Sequence, residues 1–185
     1  QPQHSFTVDA VVDAELLGDG GIVAVQPDGG DCGVATYDSA GNQVSLVQLG
    51  VECDQQSSVT TDTVNGTTWV STDSGIYEVA EGVVTRVSDM PNALLAHDAE
   101  ADVVYAGVAG RAVVTAIEPG GAERWETHVD GAISALTDLG ERSSAAVSIE
   151  QNGNGAFLVI DGLTGEITSN LPTPSAAEGL SASGR

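Results

Sequence analysis

The chain contains no lysine, and its five basic residues are all arginine. Against them stand 27 acidic residues, giving a net charge of −22 over 185 residues. Such a surface repels phosphate backbones and anionic lipid, so nucleic acid and acidic membranes are disfavoured as partners. Basic protein surfaces and divalent cations are not. The charge has a plainer reading as well, adaptation to salty or extracellular surroundings. Aromatic residues make up only 4%. No apolar run reaches the ~18 residues that a membrane-spanning helix needs. The only methionine is Met90, and the chain opens at Gln1. We read it as a chain that has been processed or lacks its leader.

Cysteine is scarce too: Cys32 and Cys53 are the only two. That is too few for a zinc site without nearby histidines. His4 and His97 are distant in sequence, with no motif to make either cysteine a nucleophile. A disulfide is the expectation, tying the link after Leu49 back to its own sheet. Closing a loop of this length contributes ~3 kcal/mol. It implies an oxidising, extracytoplasmic location: secreted, periplasmic or at the cell surface. Two buried free thiols in a cytosolic protein are the alternative.

What the chain has in quantity is Val, Ala, Gly, Ser and Thr, arranged in a repeat. From Asp102 to Val129, three apolar runs are separated by Ala109-Gly110-Arg111 and by Glu118 to Glu123. Each run is rich in the residues that strands favour. The pattern recurs, and each repeat carries a landmark glycine in its last turn: Gly41, Gly82, Gly121 and Gly165. These lie 41, 39 and 44 residues apart. A glycine is expected there because the turn requires φ > 0. A period of roughly 40–45 residues with four strands per unit is that of a β-propeller blade. Helical repeats of similar length would need apolar residues at i, i+3, i+4 and i+7, and no such run survives between turns.

The fold class is therefore all-β, a β-propeller of about four four-stranded antiparallel blades. The blades are placed at about 16–49, 57–87, 93–129 and 133–171, after a disordered 1–5 and a strand over 6–12. Residues 172–185 read as a linker and the start of a further blade. Two architectures stay open: a self-closed four-blade ring, or the N-terminal part of a seven- or eight-bladed propeller.

Two blades carry a family resemblance. One has Val103-Val104-Tyr105-Ala106-Gly107, then Gly110-Arg111, Ala116-Ile117, Gly121 and Trp125. The other has Val159-Ile160-Asp161-Gly162-Leu163-Thr164-Gly165-Glu166. These resemble the quinoprotein-like propellers, with blades of the PQQ-like kind. The family places a tryptophan four residues after the motif glycine. Trp125 obeys this, whereas Ser45, Arg86 and Ser169 occupy the equivalent positions elsewhere. WD40-type propellers share the period. The resemblance implies quinone-cofactor dehydrogenases among the relatives, yet no cofactor site carries over residue by residue.

Candidate chemistry is thin. Asp28 and Asp31 flank Gly29-Gly30 and could belong to a calcium loop, but the alternating carboxylates and terminal Glu of such a loop are missing. A plain turn accounts for the same residues. Asp73-Ser74-Gly75 lacks a nucleophile-elbow context. Asn65-Gly66-Thr67 is a formal glycosylation sequon and also a good hairpin turn. Gln151 to Gly155 is glycine-rich, but no helix follows to bind an anion. His97-Asp98 stands at a strand end, where it would brace a blade. Trp69 and Trp125 read as packing residues. The reading is of a non-enzymatic interaction or scaffold module that binds a protein partner or a complementary propeller fragment. A quinoprotein-like dehydrogenase fragment and a calcium- or carbohydrate-binding propeller are the alternatives.

Overall fold

The computed structural model describes residues 11–53, 55–140, 143–177 and 179–180. The expected disordered segment 1–5, most of the strand over 6–12 and most of the further blade beyond 177 lie outside these residues. The chain divides into two compact units between Asn92 and Ala93. Each unit holds two four-stranded antiparallel sheets whose strands pair in chain order.

In the first unit, one sheet comprises β1 (Asp13–Leu16), β2 (Ile22–Asp28), β3 (Asp31–Tyr37) and β4 (Gln43–Gln48). The other comprises β5 (Ser58–Asp62), β6 (Thr67–Thr72), β7 (Gly75–Ala80) and β8 (Val83–Ser88). In the second unit, β9 (Ala93–Asp98), β10 (Val103–Val108), β11 (Val113–Ile117) and β12 (Glu123–His128) form one sheet. The other consists of β13 (Ala132–Asp138), β14 (Ser144–Gln151), β15 (Asn154–Asp161) and β16 (Ile167–Thr173). These are four propeller-type blades.

The pattern of burial follows the sequence. Central strands such as β10, Val-Val-Tyr-Ala-Gly-Val, are buried on both faces and read as continuous apolar runs. Every fourth strand is largely exposed and richer in polar residues. Between the sheets of the first unit the core is mostly valine: Val23, Val25, Val34, Val59, Val70 and Val79, with Tyr77. Tyr105 and Trp125 fill the core of the second unit with Val147, Leu158 and Ile160.

All four landmark glycines have positive φ: 85° at Gly41, 78° at Gly82, 95° at Gly121 and 75° at Gly165. Three blades share a device. In the first, third and fourth, a β-bulge lies in the fourth strand just after the turn, with Val44, Arg124 and Thr168 as the extra residues; in the second blade the bulge, at Val87, lies at the other end of the strand pair. In three blades the glycine N–H then closes the turn on the carbonyl of Asp38, Glu118 or Asp161, at 2.8–2.9 Å. A left-handed residue at this point lets a tight turn match the twist of its strands, and glycine adopts that conformation at least cost.

The first sheet differs from the sequence pattern at its inner edge. Its first strand begins at Asp13, ahead of the expected blade start near residue 16. This strand reverses the usual order: Asp13 and Glu15 are half-buried, while Ala14 and Leu16 are exposed. Hydrogen bonds make this tolerable. The Asp13 carboxylate accepts from Val59 N at 2.9 Å, and Glu15 is hydrogen-bonded by Thr60 and Thr61. Periodicity alone places apolar residues inward, and local acceptors for β5 outweigh that preference here. The turn at Asn65-Gly66 is also longer than a two-residue hairpin, spanning residues 63–66. Asp62 sets its shape by accepting from Val64 N at 2.8 Å and from the Asn65 side chain at 2.6 Å.

Candidate functional site

Cys32 and Cys53 are joined in a disulfide. Cys32 is fully buried. Two backbone bonds hold the same link: Cys32 N to Val51 O at 2.5 Å, and Leu49 N to Cys32 O at 2.8 Å. The segment leaving β4 is thereby pinned to the start of β3. Asp28 and Asp31 stand directly opposite one another at the end of the β2–β3 hairpin. Gly29 and Gly30 between them both have positive φ. The Asp28 carboxylate accepts a hydrogen bond from the Gln48 side chain of β4, an arrangement in keeping with the plain-turn reading of these residues.

His97-Asp98 was expected to brace a blade, and Asp98 has the partners for it. One carboxylate oxygen accepts from Glu100 N and Ala101 N, both at 2.9 Å. The other accepts from the Tyr105 hydroxyl. Burial and the adjacent Asp98 carboxylate push the Tyr105 phenol far above its ordinary range. It is held as a donor, not as an acid or a nucleophile. Asp138 ends β13, where burial raises its carboxyl above the ordinary value while the N–H of Gly140 pulls the other way. Arg124 bonds Glu118 at 3.0 Å and the Ala101 carbonyl at 2.8 Å. His128 lies exposed, 3.5 Å from Glu126.

The interface between the two sheets of the second unit is a lock. Trp125, on β12, donates from its indole nitrogen to the Gly162 carbonyl at 2.9 Å. Two residues on, the Thr127 hydroxyl donates to the Gly165 carbonyl at 2.6 Å. Tyr105 packs beside Trp125 with ring centroids 5.8 Å apart. A Cβ at Gly165 would meet the indole at 2.8 Å, and one at Gly162 would strike the Tyr105 hydroxyl and the Ser143 carbonyl. The turn Asp161–Glu166 is thus a socket built of glycine for an aromatic pair.

The first unit has the same frame without the aromatics. Thr36 and Ala116 each stand five residues before a landmark glycine, and Ser45 and Trp125 each four after. Strand register agrees: Val23 pairs with Thr36 and Thr36 with Ser45, as Tyr105 pairs with Ala116 and Ala116 with Trp125. Val23 and Ser45 therefore occupy the places of Tyr105 and Trp125. What results is a groove between the two sheets of the first unit. Its inner part, about 460 Å³, lies between Leu17–Asp19 and the turn after Asp62. Its outer part, about 240 Å³, runs from Ser45 to Glu81 and Gly82. Thr36, Gly66 and Thr68 line both.

The groove is amphipathic. Val34, Val47 and Val79 supply apolar walls in its outer part. Thr36, Thr61 and Thr68 add hydroxyls; the last two lie 3.3 Å apart. Asp19, Asp62 and Glu81 supply carboxylates. In the sequence, Ser45 stands out only as an absent tryptophan. The signal for a groove was present in that comparison, but it needed the partner positions Val23 and Thr36 beside it.

No protein-family model and no curated protein sequence matches the chain. Solved structures do. BBS1N, crystallised in complex with ARL6DN, is 19% identical with a TM-score of 0.67, over 86% of this chain and 51% of that one. Hydrazine synthase of Kuenenia stuttgartiensis is 13% identical with a TM-score of 0.70, over 93% and 52%. Virginiamycin B lyase from Staphylococcus aureus is 13% identical with a TM-score of 0.64, over 86% and 54%. The likeness is one of fold, and the fold is the β-propeller. This chain contributes four blades and spans about half the length of these structures.

Proposed function

We propose that this chain is a non-enzymatic, extracytoplasmic β-propeller that binds a protein partner within a larger complex, through a basic surface of that partner. The observation that carries this reading is the distribution of charge. The chain has a net charge of −22. Two of the three arginines among the described residues are paired within the chain, Arg86 with Asp89 and the Ser74 carbonyl, and Arg124 with Glu118 and the Ala101 carbonyl. Cations are spent holding turns, and the carboxylates dominate what faces outward. Such a field steers a basic partner and repels an acidic one. The Cys32–Cys53 disulfide supports an oxidising compartment. BBS1N, which shares the fold, was itself solved with a protein partner.

A complementary propeller fragment is one form such a partner could take, because the chain spans about half of the structures it matches. The quinoprotein-like character of the blades is part of the same reading. It rests on the Asp161–Glu166 turn and on Trp125 docked against it.

The test is the mass of the native species from its source, compared with the mass after denaturation without reductant. The expected result is a stoichiometric second polypeptide that dissociates as ionic strength rises. A single chain at every salt concentration would overturn the proposal.

A further inference from the structure

The groove of the first unit has a specific origin. At the corresponding interface of the second unit, Tyr105 and Trp125 fill the space and the indole bonds a turn carbonyl. In the first unit Val23 lines the inner part of the open space and Ser45 its outer part, where Glu81 and Gly82 also line it. The neighbouring turn still carries its left-handed glycine, Gly82 at φ 78°. That turn is a tighter, two-residue hairpin and Val79 stands where Gly162 does, so the space is left open while the chain's own flat group is absent.

The lining states what would fit. Val34, Val47 and Val79 offer an apolar wall. The polar atoms are threonine and serine hydroxyls with the carboxylates of Asp19, Asp62 and Glu81; Asp19 already accepts from Gly21 N, and Asp62 from Val64 N and the Asn65 side chain. Arginine and lysine side chains supply none of these charges. A neutral indole would use the wall but bring no charge to Glu81 or its neighbours. An anion would be repelled. An arginine matches both parts, with an aliphatic stem for the wall and a planar, weakly hydrated fork of N–H donors for the acceptors. A lysine would offer a compact, strongly hydrated point charge that gains less from a slot.

We propose that the groove between the first and second sheets receives an arginine side chain of the partner protein. Its stem lies along Val34, Val47 and Val79, and its guanidinium lies among the threonine hydroxyls and the carboxylates. This rests on the reading that the chain binds a basic protein.

The probe is N-acetyl-arginine methylamide, titrated into the ¹⁵N-labelled chain and followed by backbone amide shifts. Shifts should cluster at Thr36, Ser45, Gly66, Thr68 and Gly82. The lysine and tryptophan analogues should bind at least about threefold more weakly. Ser45→Trp, at an exposed position, should reduce arginine binding at least tenfold by occupying the slot. Glu81→Gln, at a surface turn, should weaken it about threefold and flatten its salt dependence. Shifts scattered over the acidic surface, or equal binding by Ser45→Trp, would overturn the assignment. The native complex separates this failure from that of the broader reading. If a second polypeptide co-purifies and Ser45→Trp still binds it fully, the groove assignment falls and the partner reading stands. If no second polypeptide exists, the partner reading falls, and the occupant loses its source.

Discussion

Replacing Trp125 should release the lock between the two sheets of the second unit. The side chain is 9% exposed, and an aromatic of this size buries 150–250 Å². At ~25 cal/mol per Å² that burial is worth about 4–6 kcal/mol, an upper bound because unfolded chains already hide part of their surface. Trp125→Ala should therefore cost about 3–5 kcal/mol, the usual span for such truncations. Trp125→Phe separates packing from hydrogen bonding. It keeps most of the ring but leaves the buried Gly162 carbonyl without its 2.9 Å donor, at a cost of about 1–3 kcal/mol. Urea unfolding followed by circular dichroism suits both variants, because fluorescence would lose one of the two tryptophans. The slope against urea should hold while the midpoint falls. A loss under about 1 kcal/mol for Trp125→Ala, or a phenylalanine variant as stable as the parent, would refute the idea that this contact joins the sheets.

Four further outcomes are expected. Cys53→Ser should lower stability by about 3 kcal/mol, from a loop separation of 21 residues, and reduction of the parent should match it in the same unfolding assay. Gly162→Ala should lower Tm by more than ten degrees in calorimetry, because its Cβ would lie 2.6 Å from the Ser143 carbonyl; a neutral result would mean that the turn relaxes freely. Asp138 has a folded-state pKa raised from 3.8, so its neutral form favours the fold at low pH and that contribution is lost as pH rises through the raised value. Asp138→Asn should thus raise Tm near pH 7 and change little at about pH 3, with the Asn oxygen still able to accept from Gly140 N; an equal effect at both pH values would refute the assignment. Tyr105→Phe should cost about 1–3 kcal/mol, because it leaves Asp98 short of a buried donor, measurable in the same urea series.

Legibility varied with how local each feature is. The landmark glycines could be read directly, because a turn demanding positive φ limits the residue at one position whatever surrounds it. The cysteine pair could be read by elimination, and its partners lie within one blade. The inverted strand Asp13–Leu16 could not be read this way. Its alternation predicts Ala14 and Leu16 inward, and only donors from β5, a separate sheet, turn Asp13 and Glu15 toward the interior. Asp98 was legible as a strand-end brace, whereas its bond to Tyr105 across the β9–β10 pair needed the coordinates.

The candidate site shows the same division. Sequence alone determined the blade period, the strand-rich all-β class, the acidic surface and the serine standing where a tryptophan would be. These are properties of single positions or of regular spacing along one chain. Only the tertiary structure decided that Val23 and Ser45 line the inner and outer parts of one groove, that the turn of the next sheet closes its far side, and that carboxylates stand at its edge. A groove is a property of side chains from different strands meeting at contact distance, and linear spacing does not encode which of them meet.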